Sequence, residues 1–128
     1  MQFRVGDVYR WERSFTPEDV RVFGELSQDK GRHHVEPDAE GRVMLQGLLT
    51  ASLPTKIGGD LNFFAREMQI EFLRPVYSGE RIRCEVTTRK VDELADRTAL
   101  EFSVTIVNER DKEVARGRIT GVIFKEEG

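Results

Sequence analysis

A chain of 128 residues has the length of one domain and is too short for two with separate cores. Folded, it buries roughly two thirds of its unfolded surface, enough for a core without metal or disulfide staples. Apolar residues make up 38% and charged residues 34%, and 20 Lys plus Arg stand against 23 Asp plus Glu for a net charge of -3, so the chain shows neither the basic stripe of a nucleic-acid binder nor a membrane-surface helix. The lone cysteine, Cys84, excludes an internal disulfide, and two histidines leave a Cys/His zinc site without ligands. Met1 to Val8 carries charge and a glycine where a signal peptide needs an unbroken apolar stretch, and no apolar run approaches spanning length. A reducing cytoplasm is the expected location.

The first segment mixes Val5, Val8, Tyr9, Trp11 and Phe15 with polar residues after a Gly6-Asp7 turn, which predicts a short strand ending near Phe15. Thr16-Pro17-Glu18-Asp19 then has the form of a helix start: a hydroxyl at the N-cap, proline at the first helical position, and acids in the first turn. The spacing predicts a helix from Pro17 to Gln28 that buries Val20, Phe23 and Leu26, with Val22 beside them, and turns Glu18, Arg21 and Glu25 outward. Asp29 to Gly41 loses the pattern and reads as irregular loop; both histidines lie in it.

Val43 to Ile57 is the most apolar stretch, closed by Gly58-Gly59-Asp60, and reads as a helix buried on most sides. Pro54 falls inside it and predicts a kink or an early end. After a loop containing Asn62-Phe63-Phe64, period-two alternation marks four strands: Met68, Ile70, Phe72; then Ile82, Cys84, Val86; then Leu100, Phe102, Val104, Ile106; then Val114, Arg116, Arg118, Thr120, Val122, Phe124. Turns at Tyr77 to Glu80, around Asp92 to Asp96, and at Asn108 to Asp111 have the length and composition that join antiparallel neighbours. The architecture that follows is α+β, a curved antiparallel sheet wrapped around one long buried helix near Leu48 to Leu53, which is the hotdog arrangement over a single domain of residues 1–128. Open sheet edges in so small a domain invite pairing, and a homodimer or larger homo-oligomer is expected.

Few residues stand out for chemistry. Asp29 ends the first helix and His34 follows five residues on, so a carboxylate and an imidazole are in reach of each other across a tight turn as an acid/base pair. The plainer reading of such a pair is two solvated loop side chains, and the plainer reading of neighbouring His33 is a surface imidazole. Gly47 opens the apolar helix, where free backbone N–H groups form a site for an oxyanion or carbonyl oxygen; helix packing or a flexible cap is the alternative. Thr50, Ser52 and Thr55 place hydroxyls on that helix, where bonding to carbonyls one turn back is their ordinary use.

Phe15-Thr16-Pro17-Glu18-Asp19-Val20, Phe23, Leu26-Ser27-Gln28-Asp29, His34-Val35 and Gln46-Gly47-Leu48-Leu49-Thr50-Ala51-Ser52-Leu53 together resemble the MaoC-like, (R)-specific enoyl-CoA hydratase family. The resemblance continues through Met68 to Val76 and Ser78-Gly79-Glu80 and covers most of the chain. It implies that Asp29 and His34 are the catalytic pair that holds a water, and that Gly47 supplies the carbonyl-binding amide. The chain departs from the family pattern at Gly31 and Arg32, where members carry Asn-Pro, and at Gln46, where members carry His; the segment between His34 and Gly47 is also short.

The implied reaction is reversible, syn addition of water to a trans-2-enoyl thioester to give a (3R)-hydroxyacyl thioester. The expected partner is an acyl-CoA or acyl-carrier-protein thioester, with no metal or redox cofactor, no nucleic acid and no membrane. Gln46, Thr55, Arg32 and Phe63 are candidate substrate contacts. Leu48, Leu49, Phe63 and Phe64 are candidates for an acyl slot, with core packing as their plainer reading, and Arg32, Arg42, Lys56 and Arg66 for phosphate contacts. Two rival classes remain: a hotdog thioesterase that hydrolyses the thioester, and a catalytically silent acyl-thioester binder or structural subunit.

Overall fold

The computed structural model describes residues 2–126; Met1, where the reading of the N-terminus begins, lies outside the described residues. In chain order the elements are β1 (Val8–Ser14), α1 (Pro17–Ser27), α2 (Arg32–Val35), α3 (Gly47–Thr50), α4 (Leu53–Asp60), β2 (Phe64–Phe72), β3 (Arg81–Glu93), β4 (Arg97–Val107) and β5 (Glu113–Phe124). The five strands form one antiparallel sheet in the order β1-β3-β4-β5-β2. The apolar sides of β3 and β4, Ile82, Cys84, Val86, Leu100, Phe102, Val104 and Ile106, close over Leu49, Leu53 and Ile57 of the helices. This is the hotdog fold. No described helix is long and apolar enough to cross a membrane.

The helix start behaves as its residues dictate. Thr16 Oγ1 accepts the Asp19 N–H at 3.1 Å while Asp19 Oδ2 accepts the Thr16 N–H at 2.9 Å, a reciprocal capping box with Pro17 at the first helical position. Only Val20 and Gly24 of α1 are buried. Leu26 is 81% exposed and Val22 is also open to solvent, so the predicted apolar face is narrower than its spacing implied. Val20 and Gly24 are one turn apart, and with half-buried Phe23, which packs against the core as its spacing predicts, they seat α1.

The predicted long helix is divided in two. Ser52 and Ala51 make a tight turn between α3 and α4, with Ser52 N–H bonded to Leu49 O at 3.1 Å, and Pro54 sits in the first turn of α4, where its missing N–H costs nothing. The second half runs on through Gly58 and Gly59 to Asp60. The segment is also one-sided: Leu45, Leu49, Leu53, Ile57 and Leu61 are buried at four-residue spacing, whereas Leu48 is 69% exposed.

Two expectations for the sheet are corrected. The residues between β2 and β3 do not join neighbours: β2 pairs with β5, and the Leu73 to Glu80 connection carries the chain across to β3 near the opposite edge. On that path Leu45 N–H bonds to Val76 O at 2.8 Å and Met44 bridges Tyr77. In β5 the core-facing set is Ala115, Gly117, Ile119 and Gly121, cross-strand partners of Ile106, Val104, Phe102 and Leu100; Arg116 and Arg118 point outward to Glu71 and Glu67. A bulge near Val114 shifts the phase, which is why both Val114 and Ala115 are buried. Gly117 is required by close approach, since a Cβ there would meet the Gln69 carbonyl oxygen at 1.9 Å.

Candidate active site

The loop after α1 is ordered by its own polar residues. Gln28 takes the left-handed conformation at φ 63° and returns its N–H to Gly24 O, and Ser27 Oγ accepts the Asp29 N–H at 3.0 Å. The chain leaves the helix with Asp29 at the turn. The expected irregular loop then contains a single turn of helix, Arg32–Val35, opened by Gly31 with His34 N–H on Gly31 O at 2.8 Å. A Cβ on Gly31 would come 3.1 Å from Cε1 of the exposed His33 ring, a tight approach that the ring would have to relieve by turning aside. Met44 closes the loop from the other side, its N–H donating to His33 O at 3.0 Å.

Asp29 and His34 are brought together. His34 Nε2 lies 3.7 Å from Asp29 Oδ2, the imidazole enclosed at 7% side-chain exposure and the carboxylate open at 52%. That separation is too long for a direct hydrogen bond and suits one polar atom held by both. His34 Nδ1 is 2.7 Å from Met44 O. Because a carbonyl can only accept, Nδ1 carries a hydrogen, and Nε2 is the ring nitrogen that faces Asp29.

The imidazole lines a cleft of about 290 Å³ together with Gly47, Thr50, Phe72, Arg74 and Val76 among others, and Asp29 is not one of its lining residues. No described carbonyl takes the Gly47 N–H. The Phe72 ring lies over Gly47 so closely that a Cβ there would be 3.3 Å from Phe72 Cε1 and Cζ. A larger groove of about 640 Å³, lined by Arg89, Arg116 and Arg118 among others, lies on the sheet face away from the helices and has no imidazole. Among the described residues no three His, Cys, Asp or Glu side chains gather as ligands for a cation.

The remaining candidates lie elsewhere. Gln46 is 1% exposed and inaccessible to a substrate: its Nε2 donates to Val20 O at 3.0 Å and to Asp29 O at 3.4 Å. Thr55 is exposed, its hydroxyl donating to Ser52 O, and Ser52 does the same to Leu49 O. Arg32 points to solvent and pairs with Glu36 at 3.4 Å. Phe63 is partly buried against the core, edge-on to Phe102 at 5.2 Å, and exposed Phe64 stacks edge-on to Phe124. Of the cations, Arg42 is engaged by Asp38 and lies over Tyr77, Lys56 by Asp60 and over Trp11, and Arg66 lies beside β4 and β5. The cleft's own cation, Arg74, and its cover, Phe72, escaped the sequence reading because the chain crossover that brings them to Gly47 leaves no local pattern.

The architecture and the cleft define a hotdog domain. The family described as the thioesterase superfamily matches residues 47–115, and the chain belongs to it. Among its relatives, the mitochondrial 3-hydroxyacyl-[acyl-carrier-protein] dehydratase of Arabidopsis thaliana is 27% identical over 94% of this chain and 77% of the plant protein. The (R)-hydratase from A. caviae involved in PHA biosynthesis superposes with a TM-score of 0.83 at 23% identity, covering 96% of this chain and 98% of that one. The MaoC-like dehydratase from Rhodospirillum rubrum does so with 0.79 at 15% identity, covering 98% and 96%. The resemblance seen in the sequence is thus to relatives that share this fold.

Proposed function

We propose that the protein is a hydro-lyase, an (R)-specific enoyl-thioester hydratase that also runs as a (3R)-hydroxyacyl-thioester dehydratase. The observation that carries the reading is the pairing of His34 Nε2 with Asp29 Oδ2 across 3.7 Å beside the free amide of Gly47. Support comes from the plant relative, which is named a dehydratase.

A water takes the space between the two side chains, one hydrogen on Asp29 and the other on the His34 Nε2 lone pair. Its oxygen bonds to the third carbon of the enoyl thioester while Nε2 takes the proton. The π electrons move toward the thioester, and the negative charge that develops on its oxygen is met by the Gly47 N–H. The imidazolium returns a proton to the second carbon on the same face. Atoms balance with no other reactant. Dehydration is the reverse. Such positioned acid/base groups contribute about 10² to 10⁴ in rate, and an oxyanion donor about 3 to 4 kcal/mol.

The thioester is the substrate's own activating group, so the reading calls for no cofactor. Its handle is CoA or the phosphopantetheine of a carrier protein. A homodimer is part of the reading, supported by the open β2 edge and by Phe64, Met68 and Phe72 exposed along it. So is a reducing compartment such as the cytoplasm, supported by free, buried Cys84.

Incubation with crotonyl-CoA separates this function from its rivals. The expected result is loss of the enoyl absorbance with no free thiol. Release of thiol marks a thioesterase, and neither change with any enoyl thioester marks a silent binder.

A further inference from the structure

We propose that Gln46 is a positioning residue for Asp29, the clamp that sets the carboxylate of the pair at a fixed place relative to the Gly47 amide; the inference rests on the hydratase reading and deepens it. Gln46 is almost fully buried at the N-cap of α3, directly before Gly47. Its Nε2 reaches two carbonyl oxygens on other elements, Val20 in α1 at 3.0 Å and Asp29 at 3.4 Å.

The amide has one possible orientation. Both partners are carbonyls, so turning the side chain over would set oxygen against oxygen at both contacts. The consequence is that Oε1 is buried with no hydrogen-bond partner. An unpartnered buried acceptor is a cost to folding. An apolar side chain of the same volume would avoid it, and the Val20 carbonyl already has the helical partner that its position in α1 provides. What the apolar side chain would lose is the tie to Asp29. Among the described residues the Asp29 carbonyl accepts no other hydrogen bond, and its carboxylate has only His34 in range. His34 is fixed independently by Met44. Gln46 is therefore the side chain that ties the Asp29 carbonyl to the core, beside the Ser27 hydroxyl that accepts the Asp29 N–H at 3.0 Å, and it does so from the residue next to the oxyanion amide.

Reaction rates are steep in such placement, a shift of about 1 Å being able to cost about 10²-fold. Gln46→Met keeps the volume and removes both donors. Its kcat on crotonyl-CoA is expected to fall about tenfold to a hundredfold with KM within about twofold of the parent and a thermal midpoint no lower than the parent's. An unchanged kcat, or a loss confined to KM, overturns the proposal. Should Gln46→Met not fold, Gln46→Asn retains a buried amide too short to span both carbonyls and is read by the same kcat-against-KM split. Crystal structures of parent and variant decide the case if the parent hydrates no enoyl thioester. The hydratase reading then falls, while a widened Asp29–His34 separation in the variant upholds the clamp and an unchanged one overturns it.

Discussion

His34 holds its Nδ1 2.7 Å from the carbonyl oxygen of Met44, and this one contact decides which ring nitrogen is available for chemistry. With Nδ1 as the donor, Nε2 is the base, and it faces Asp29. Removal of the ring or of the carboxylate charge is expected to reduce kcat by about 10² to 10⁴ in His34→Ala and in Asp29→Asn. Asp29 is open to solvent, so the Asp29→Asn melt should stay within a few degrees of the parent, whereas His34→Ala empties an enclosed site and removes the bond to the Met44 carbonyl and should melt lower. The double variant should be no worse than the poorer single one, because the two act as a unit. Steady-state kinetics of the three variants check this.

Gly47 and Phe72 set the size of the cleft. Gly47→Ala places a methyl 3.3 Å from the Phe72 ring, and since Phe72 is half exposed on an edge strand it can swing aside. The expected outcome is a near-normal melting temperature with kcat/KM lowered about tenfold, recovered in part by adding Phe72→Ala. Progress curves on the single and double variants measure the coupling.

The two glycines of β5 give a stability prediction of the opposite kind. At Gly117 and Gly121 an added Cβ meets backbone oxygens of β2, those of Gln69 and Phe64, at 1.9 and 2.0 Å. Backbone cannot yield as a ring can. Gly117→Ala and Gly121→Ala are expected to lose about 3 kcal/mol or more, read as a fall in the urea midpoint or as insoluble protein.

These two glycines also show why part of the fold escaped the sequence. The capping box at Thr16 and Asp19, and the alternation of Ile82 to Val86 and Leu100 to Ile106, are local signals, and the structure follows them. In β5 the core face contains Gly117 and Gly121, which carry no hydrophobic signal, while Val114 and Val122, themselves buried, share the alternation of the outward Arg116 and Arg118. Alternation read from side chains therefore selected the wrong face. The place of β2 beside β5 is a pairing between residues far apart in sequence, and nothing in the turn at Tyr77 to Glu80 records it. At the site, the reach between Asp29 and His34 was legible in a five-residue spacing. The tasks of Gln46, Met44 and Phe72 were not, since each depends on contacts made across the fold.

Cys84 provides a pH test of the core. Burial pushes its thiol from an ordinary 9.0 up to about 12, with neighbouring Glu85 adding to the rise. The folded state thus keeps a proton that the unfolded chain loses. The stabilisation is complete below the unfolded value and declines as pH rises through the interval toward the folded one. Stability between about pH 8 and about pH 10.5 should fall more steeply in the parent than in Cys84→Ala, as urea midpoints will show. A thiol reagent should label the native protein near neutral pH far more slowly than the denatured chain.

The stereochemistry of hydration in deuterium oxide tests most directly whether one water held by Asp29 and His34 is the reactant. A single base that takes a proton from that water and returns it on the same side of the chain puts the new hydroxyl and the new deuterium on one face, in a product of (3R) configuration. Finding that syn, (3R) product from the parent, and none from Asp29→Asn/His34→Ala, is the predicted result. An anti product, a (3S) product, or undiminished turnover by the double variant would contradict the assignment.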